Sequence, residues 1–178
     1  MDIVARVQGI LMKPKDEWVK IKGESLPISV LFTSYAVLLA AIPAVCRFIG
    51  LSLIGRKIPW RLGFIPVSFG RALFSAIFLY LMTLVSVYVL GIIINALAPT
   101  FSSKQNQENA MKIAVFSMSP IWIAGVFNII PFLSWLGTIG IIYGIYLFYL
   151  GFTSSLMETP PDKVIGYVVV CLVSGIIL

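Results

Sequence analysis

The side chains able to do chemistry are few, and their placement does not suit catalysis. The chain has no histidine, which removes the commonest general base and the commonest metal ligand together. Seven carboxylates are present, yet none falls deep in an apolar run, so neither a buried proton relay nor an intramembrane aspartyl pair can form. No glycine-rich phosphate loop occurs. The sequence therefore predicts no catalytic residue, no metal ligand and no cofactor, and it points away from an enzyme. Cys46 and Cys171 sit inside apolar runs and are expected to act as small buried hydrophobes.

The remaining candidates bind rather than react. Tyr143, Tyr146 and Tyr149 recur every three residues, and with Asn95 and Asn128 they are the uncharged groups available to line a polar cavity. Plain interhelical hydrogen bonding, at about 0.6 kcal/mol per contact, is the competing role. Arg47 is the one charge well inside an apolar run, within reach of the interface by snorkelling. Arg56, Lys57, Trp60 and Arg61 form a basic aromatic cluster suited to an anionic headgroup, with a plain flanking anchor as the alternative. Gly137, Gly144 and Gly151 recur every seven residues, and Gly140 with Gly144 makes a small-x-x-x-small pair that admits another backbone. The basic balance, pI about 9.5, is matched to lipid headgroups and not to nucleic acid, because most bases flank apolar runs.

The elements that must hold these groups follow from composition. The chain is 60% hydrophobic and 11% charged, where a soluble domain carries about a quarter charged residues. A bilayer is its solvent, and the unbroken apolar runs favour helices over closed strands. The expected fold is all-α: a polytopic bundle of five spans, about 26–54, 71–98, 112–128, 132–157 and 164–178, following an amphipathic interfacial segment, 1–25. The run of 45 residues between Lys112 and Glu158 has no charge and as one helix would measure about 68 Å, against a hydrocarbon thickness of about 30 Å. It must fold back, and the breakers Asn128 and Pro131 in FNIIPFLSWLG place the turn. A proline kink within a single broken helix is the competing geometry.

Pro43 and Arg47 interrupt the first run, which either crosses or re-enters as a hairpin. With five simple spans and the N-terminus inside, Lys and Arg divide eight inside to five outside, a weak positive-inside bias. In residues 1–25, Ile3, Val4, Val7, Ile10 and Leu11 form one stripe opposed by Asp2, Arg6 and Gln8. Pro14 opens a second short helix, with Asp16 and Glu17 near its positive end. Trp18 and Ile21 are then expected either to dip into the headgroups or to face a protein partner, with Pro14 setting their approach.

Four motifs carry a family resemblance: PKDEW at Pro14 to Trp18, SPIWIAGVFNIIP with Pro120, Trp122 and Pro131, YGIYLFYLG at Tyr143 to Gly151, and PPDKVIGY with Asp162, Lys163 and Tyr167. In this order and spacing the chain resembles the short prokaryotic form of the YIP (Ypt-interacting protein) family over nearly its full length. The resemblance implies five helical spans, a cytosolic N-terminus and a location in the cell inner membrane. It does not carry over binding of Rab-type GTPases, because the longer segment with a DLYGP-like motif is missing. Two functions follow as expectations: a non-catalytic scaffold or adaptor binding lipids, a membrane or cytosolic protein, or a second copy of itself, and, as the alternative, a small channel or lipid/solute transporter.

Overall fold

In a computed structural model, which describes residues 2–57, 64, 65 and 67–177, the chain is a bundle of helices with one small strand pair. Asp2 caps α1 (Ile3–Met12) by accepting from the Val4 and Ala5 amides, which satisfies donors that the first turn leaves unpaired. Pro14 occupies the first turn of α2 (Pro14–Gly23), with acids in that turn and Lys20 and Lys22 in the last. Both placements complement the helix dipole.

Among the described residues, four helices are long and apolar enough to cross a membrane: Ile28–Leu53, Phe69–Phe101, Gln107–Ile129 and Phe132–Thr153. The first joins α3 (Ile28–Leu31) through a π-helical turn, Phe32–Ala36, to α4 (Val37–Leu53). It runs helically through Pro43, so the first run is one continuous helix and not a hairpin. Gly125 makes room for Pro43, since a Cβ at Gly125 would lie 2.4 Å from the proline Cβ. Next comes α5 (Phe69–Leu97), reached through a two-residue antiparallel pairing of Arg56–Lys57 with Phe64–Ile65.

The long uncharged segment folds back as expected. After α6 (Gln107–Ser117), α7 (Ser119–Ala124) and a tight turn of 3-10 helix, the backbone becomes extended at Ile130, and Pro131 opens the return toward α8 (Gly137–Thr153). The two arms are antiparallel: Gly140 faces Pro120 and Ala124, Gly144 faces Ser117 and Ile121, and Gly151 faces Ile113. A Cβ at Gly140 would sit 2.7 Å from the Pro120 carbonyl oxygen, so the hairpin closes backbone to backbone there. Gly137 has open space around it. It is not a packing glycine, because it lies at the start of α8, beyond the stretch that meets α7.

Last is α9 (Val164–Ile177), an apolar helix of 14 residues, about 21 Å long at 1.5 Å per residue and shorter than the other four. It lies antiparallel along α5, with Gly166 beside Phe101 and Gly175 beside Leu90. The third crossing is the centre of the bundle: 67% of its apolar window is buried, against 33%, 22% and 28% for the first, second and fourth. Ala110, Met111, Ile113, Ala114, Val115 and Phe116 are each fully buried.

Candidate functional site

The bundle has two chemically different ends. At the N-terminal end lie α1, α2 and the loops 102–106 and 154–163; at the opposite end lie the pairing of Arg56–Lys57 with Phe64–Ile65 and the turn at Pro131.

The N-terminal segment packs against the bundle and does not lie free on its surface. Trp18 and Ile21 are 1% and 0% exposed. Trp18 meets Phe116 edge to face at 6.3 Å and lies over Gly151, where a Cβ would come within 3.2 Å of its ring. The expectation that Trp18 and Ile21 face headgroups or a partner is therefore corrected: their partner is the chain's own bundle. Pro14 is half-buried at the turn between α1 and α2. Arg6, expected on the wet face of α1, is also buried. It donates to Glu17 at 2.7 Å and to both carboxylate oxygens of Glu24, and its guanidinium lies 5.7 Å from the Phe116 ring centroid. A cation can be buried here because two carboxylates and a ring face replace water.

Lys112 completes this end. Its ammonium donates to the Glu24 and Ile21 carbonyl oxygens and to Asn109 Oδ1, satisfying acceptors that the end of α2 leaves open. Deeper, the Tyr35 hydroxyl pairs with Ser119 Oγ at 2.8 Å, beside the π-helical turn. A polar cleft of about 570 Å³ opens at this end, lined by Asp2, Arg6, Glu17, Lys20 and Glu24. Sequence reasoning missed Arg6, Glu17, Glu24 and Lys112 as one network. The near balance of acids and bases in residues 1–25 was the available signal.

The family-motif residues are mostly structural. Pro120 and Trp122 are buried, and Tyr167 donates its hydroxyl to the Ile94 carbonyl and stacks on Phe101 at 4.6 Å. Lys163 donates to Ser102 Oγ at 2.7 Å, while Asp162 is exposed in the same turn.

The proposed polar lining does not assemble. Tyr143 donates to the Leu11 carbonyl at 2.8 Å, Tyr146 and Tyr149 face outward, Asn95 lies on α5, and Asn128 lies in the turn at the opposite end. Tyr143 and Tyr146 do stand together at their i, i+3 spacing, with ring centroids 5.7 Å apart, but neither asparagine joins them. A different groove, of about 490 Å³, runs between α5, α7, α8 and α9. Its walls are carbon apart from groups such as Thr83, Ser86 and Ser117, and Ser117 Oγ is buried without a partner.

At the opposite end, Arg47 is exposed on α4, with its Nε 3.4 Å from Ser75 Oγ. Trp60 and Arg61 lie outside the described residues, and Arg56 and Lys57 are placed by their backbone pairing alone. Between α4 and α5, lined by residues such as Val45, Phe48, Leu73, Ile77 and Tyr80, lies an apolar cleft of about 240 Å³.

Residues 9–178 match the Yip1 domain. The chain is 31% identical over 160 residues to the inner membrane protein YohC of Escherichia coli strain K12, covering 86% of this chain and 80% of the relative. The same identity and coverage hold for YohC of Escherichia coli O6:H1 strain CFT073. No solved structure matches. Among the described residues, no group of three or more Cys, Asp or Glu is placed to hold a metal ion.

Proposed function

The chain belongs to the Yip1 family, and from that premise we propose that it is a non-catalytic scaffold of the inner membrane, with its N-terminal end in the cytoplasm. The relatives named as inner membrane proteins support the location. The observation that carries the scaffold reading is the dry centre of the bundle: Tyr35, Trp122, Phe116, Phe148, Ile94 and Met111 are at most 1% exposed and fill the space that a wet path would need.

Four long crossings and the short α9 make up the five-span arrangement in this proposal. A short apolar helix is accommodated by local thinning of the bilayer at modest cost. The surface offered to a cytosolic or membrane protein partner is the outer face of α1 and α2, where Val4, Met12 and Val19 are 65%, 80% and 68% exposed. Self-association does not use Gly140 and Gly144, which the internal hairpin already occupies.

Proteoliposomes carrying the full chain test this reading. The expected result is no flux of ions or small solutes above that of empty liposomes. Reproducible flux that Ser117→Leu removes would overturn it in favour of a transporter built on the groove at Thr83, Ser86 and Ser117, the one polar feature that favours the second reading.

A further inference from the structure

Halfway along its crossings this molecule presents hydroxyls that nothing in the fold satisfies. Thr83 and Ser86 are half-buried on α5, three residues apart and so on one face of the helix. Among the described residues neither makes a hydrogen bond, whereas Thr33 and Ser174 donate to a carbonyl four residues earlier. Ser117, at the end of α6, is 1% exposed and its Oγ has no partner. All three line the groove of about 490 Å³ between α5, α7, α8 and α9.

Two crossings agree on the depth of these groups. Thr83 and Ser86 flank the midpoint of the second, Phe69–Phe101, and Ser117 lies at the midpoint of the third, Gln107–Ile129. At 1.5 Å per residue the α5 hydroxyls stand about 20 Å from either end of their crossing, beyond the half-thickness of a hydrocarbon core about 30 Å across. The ester and phosphate oxygens of a phospholipid do not come down to them. The groove opens sideways, with Met82, Ile141 and Ile145 on its rim 45%, 48% and 44% exposed. Among the described residues no charged side chain lines it, and its wall includes Met82, Met118 and the buried ring of Phe148.

We propose that this groove binds a neutral, lipid-soluble ring compound carrying carbonyl oxygens, the chemistry of a quinone, with a carbonyl accepting from Thr83 and Ser86. Hydrogen-bond complementarity selects the acceptor: an unpaired donor in hydrocarbon is costly, and lipid tails offer it no oxygen. The absence of charge in the lining selects a neutral molecule. Thioethers and a phenyl ring suit a flat ring, since methionine adapts its shape and makes favourable sulfur contacts with rings. A helix of a second copy fits less well, because its backbone carbonyls are already bonded within that helix. The inference goes beyond the scaffold reading, and it stands whether or not a solute crosses, because the ligand enters from the side and needs no path through the bundle.

Thermal unfolding of the full chain in mixed micelles, titrated with decylubiquinone and with decylbenzene, tests it, because a ligand of the native state raises the midpoint. The two probes share a decyl tail and a six-membered ring, and only the first carries carbonyls. Decylubiquinone is expected to raise the midpoint saturably and decylbenzene to leave it unchanged. Thr83→Val and Ser86→Ala, which remove the hydroxyls and little volume, are each expected to weaken binding about threefold. Ile145→Trp, at the rim, is expected to block binding while leaving the ligand-free midpoint near that of wild type. An equal rise with both compounds, or no rise with decylubiquinone, overturns the proposal. So does an affinity that the Thr83→Val, Ser86→Ala double variant leaves intact. Native mass spectrometry of the same sample reads the remaining alternative: a dimer that Ile145→Trp dissolves identifies a second copy as the occupant and overturns the proposal, whereas single chains retaining decylubiquinone support it.

Discussion

The two ends of the molecule solve the problem of charge near a membrane in opposite ways. At the N-terminal end Arg6, Glu17, Glu24 and Lys20 pair with one another, and Lys112 is satisfied by backbone carbonyls. At the opposite end Arg47 has a serine at 3.4 Å and no carboxylate. A buried charge must be matched within the fold, because desolvating it alone costs several kcal/mol. An exposed cation such as Arg47 can leave its matching to the surroundings outside the fold. The first end contributes to holding the protein together; at the second, Arg47 stays at the surface.

Substitutions can break or sharpen that contrast. The largest effect is expected from Trp18→Ala, which removes a fully buried ring from against Gly151 and Phe116 and should lower stability by about 4 kcal/mol. Unfolding monitored in mixed micelles checks it, and a wild-type midpoint would return Trp18 to the role of a free docking face. Arg6→Ala should follow at about 3 kcal/mol, because Glu17 is left buried with only the exposed Lys20 beside it. Combining it with Glu17→Leu and Glu24→Gln should recover part of the loss in the same assay, whereas no recovery would show that Arg6 acts through packing alone. The smallest effect belongs to Arg47→Gln, expected within about 0.5 kcal/mol of wild type in stability. A loss as large as that of Arg6→Ala would erase the distinction between the two ends.

Much of the architecture was legible beforehand, and the reason is arithmetic. A 45-residue uncharged segment exceeds any bilayer, so it had to turn, and Pro131 was the residue able to end the outgoing helix. The structure makes its turn there. The four long apolar helices overlap the expected runs for the same reason, although the third begins at Gln107 and not near 112. Pro43, by contrast, left two geometries open, because a proline in a span is tolerated when a neighbour packs against it. Gly125 is that neighbour, and it lies 82 positions away in sequence.

The candidate sites were less legible. The apolar stripe of residues 1–25 has the same spacing whether it rests on headgroups or on a protein core, so periodicity could not distinguish the two for Trp18 and Ile21. Four glycines in one helix looked equivalent, yet Gly140, Gly144 and Gly151 meet neighbours while Gly137 meets none.

By itself the sequence determined the solvent, the helical class, the existence of the hairpin and the absence of histidine chemistry, because these depend on composition and on chain length set against a fixed bilayer. The tertiary structure decided which helix lies at the centre. Within a membrane, hydropathy does not rank helices by burial, since the outside is as apolar as the inside. The third crossing has a mean hydropathy of 1.6, below the 2.6 of the second, and it is the most buried. Only three-dimensional packing could bring Arg6 to Glu24, and Arg47 to Ser75, because nothing local in the chain records which distant residue will replace the water a charge gives up.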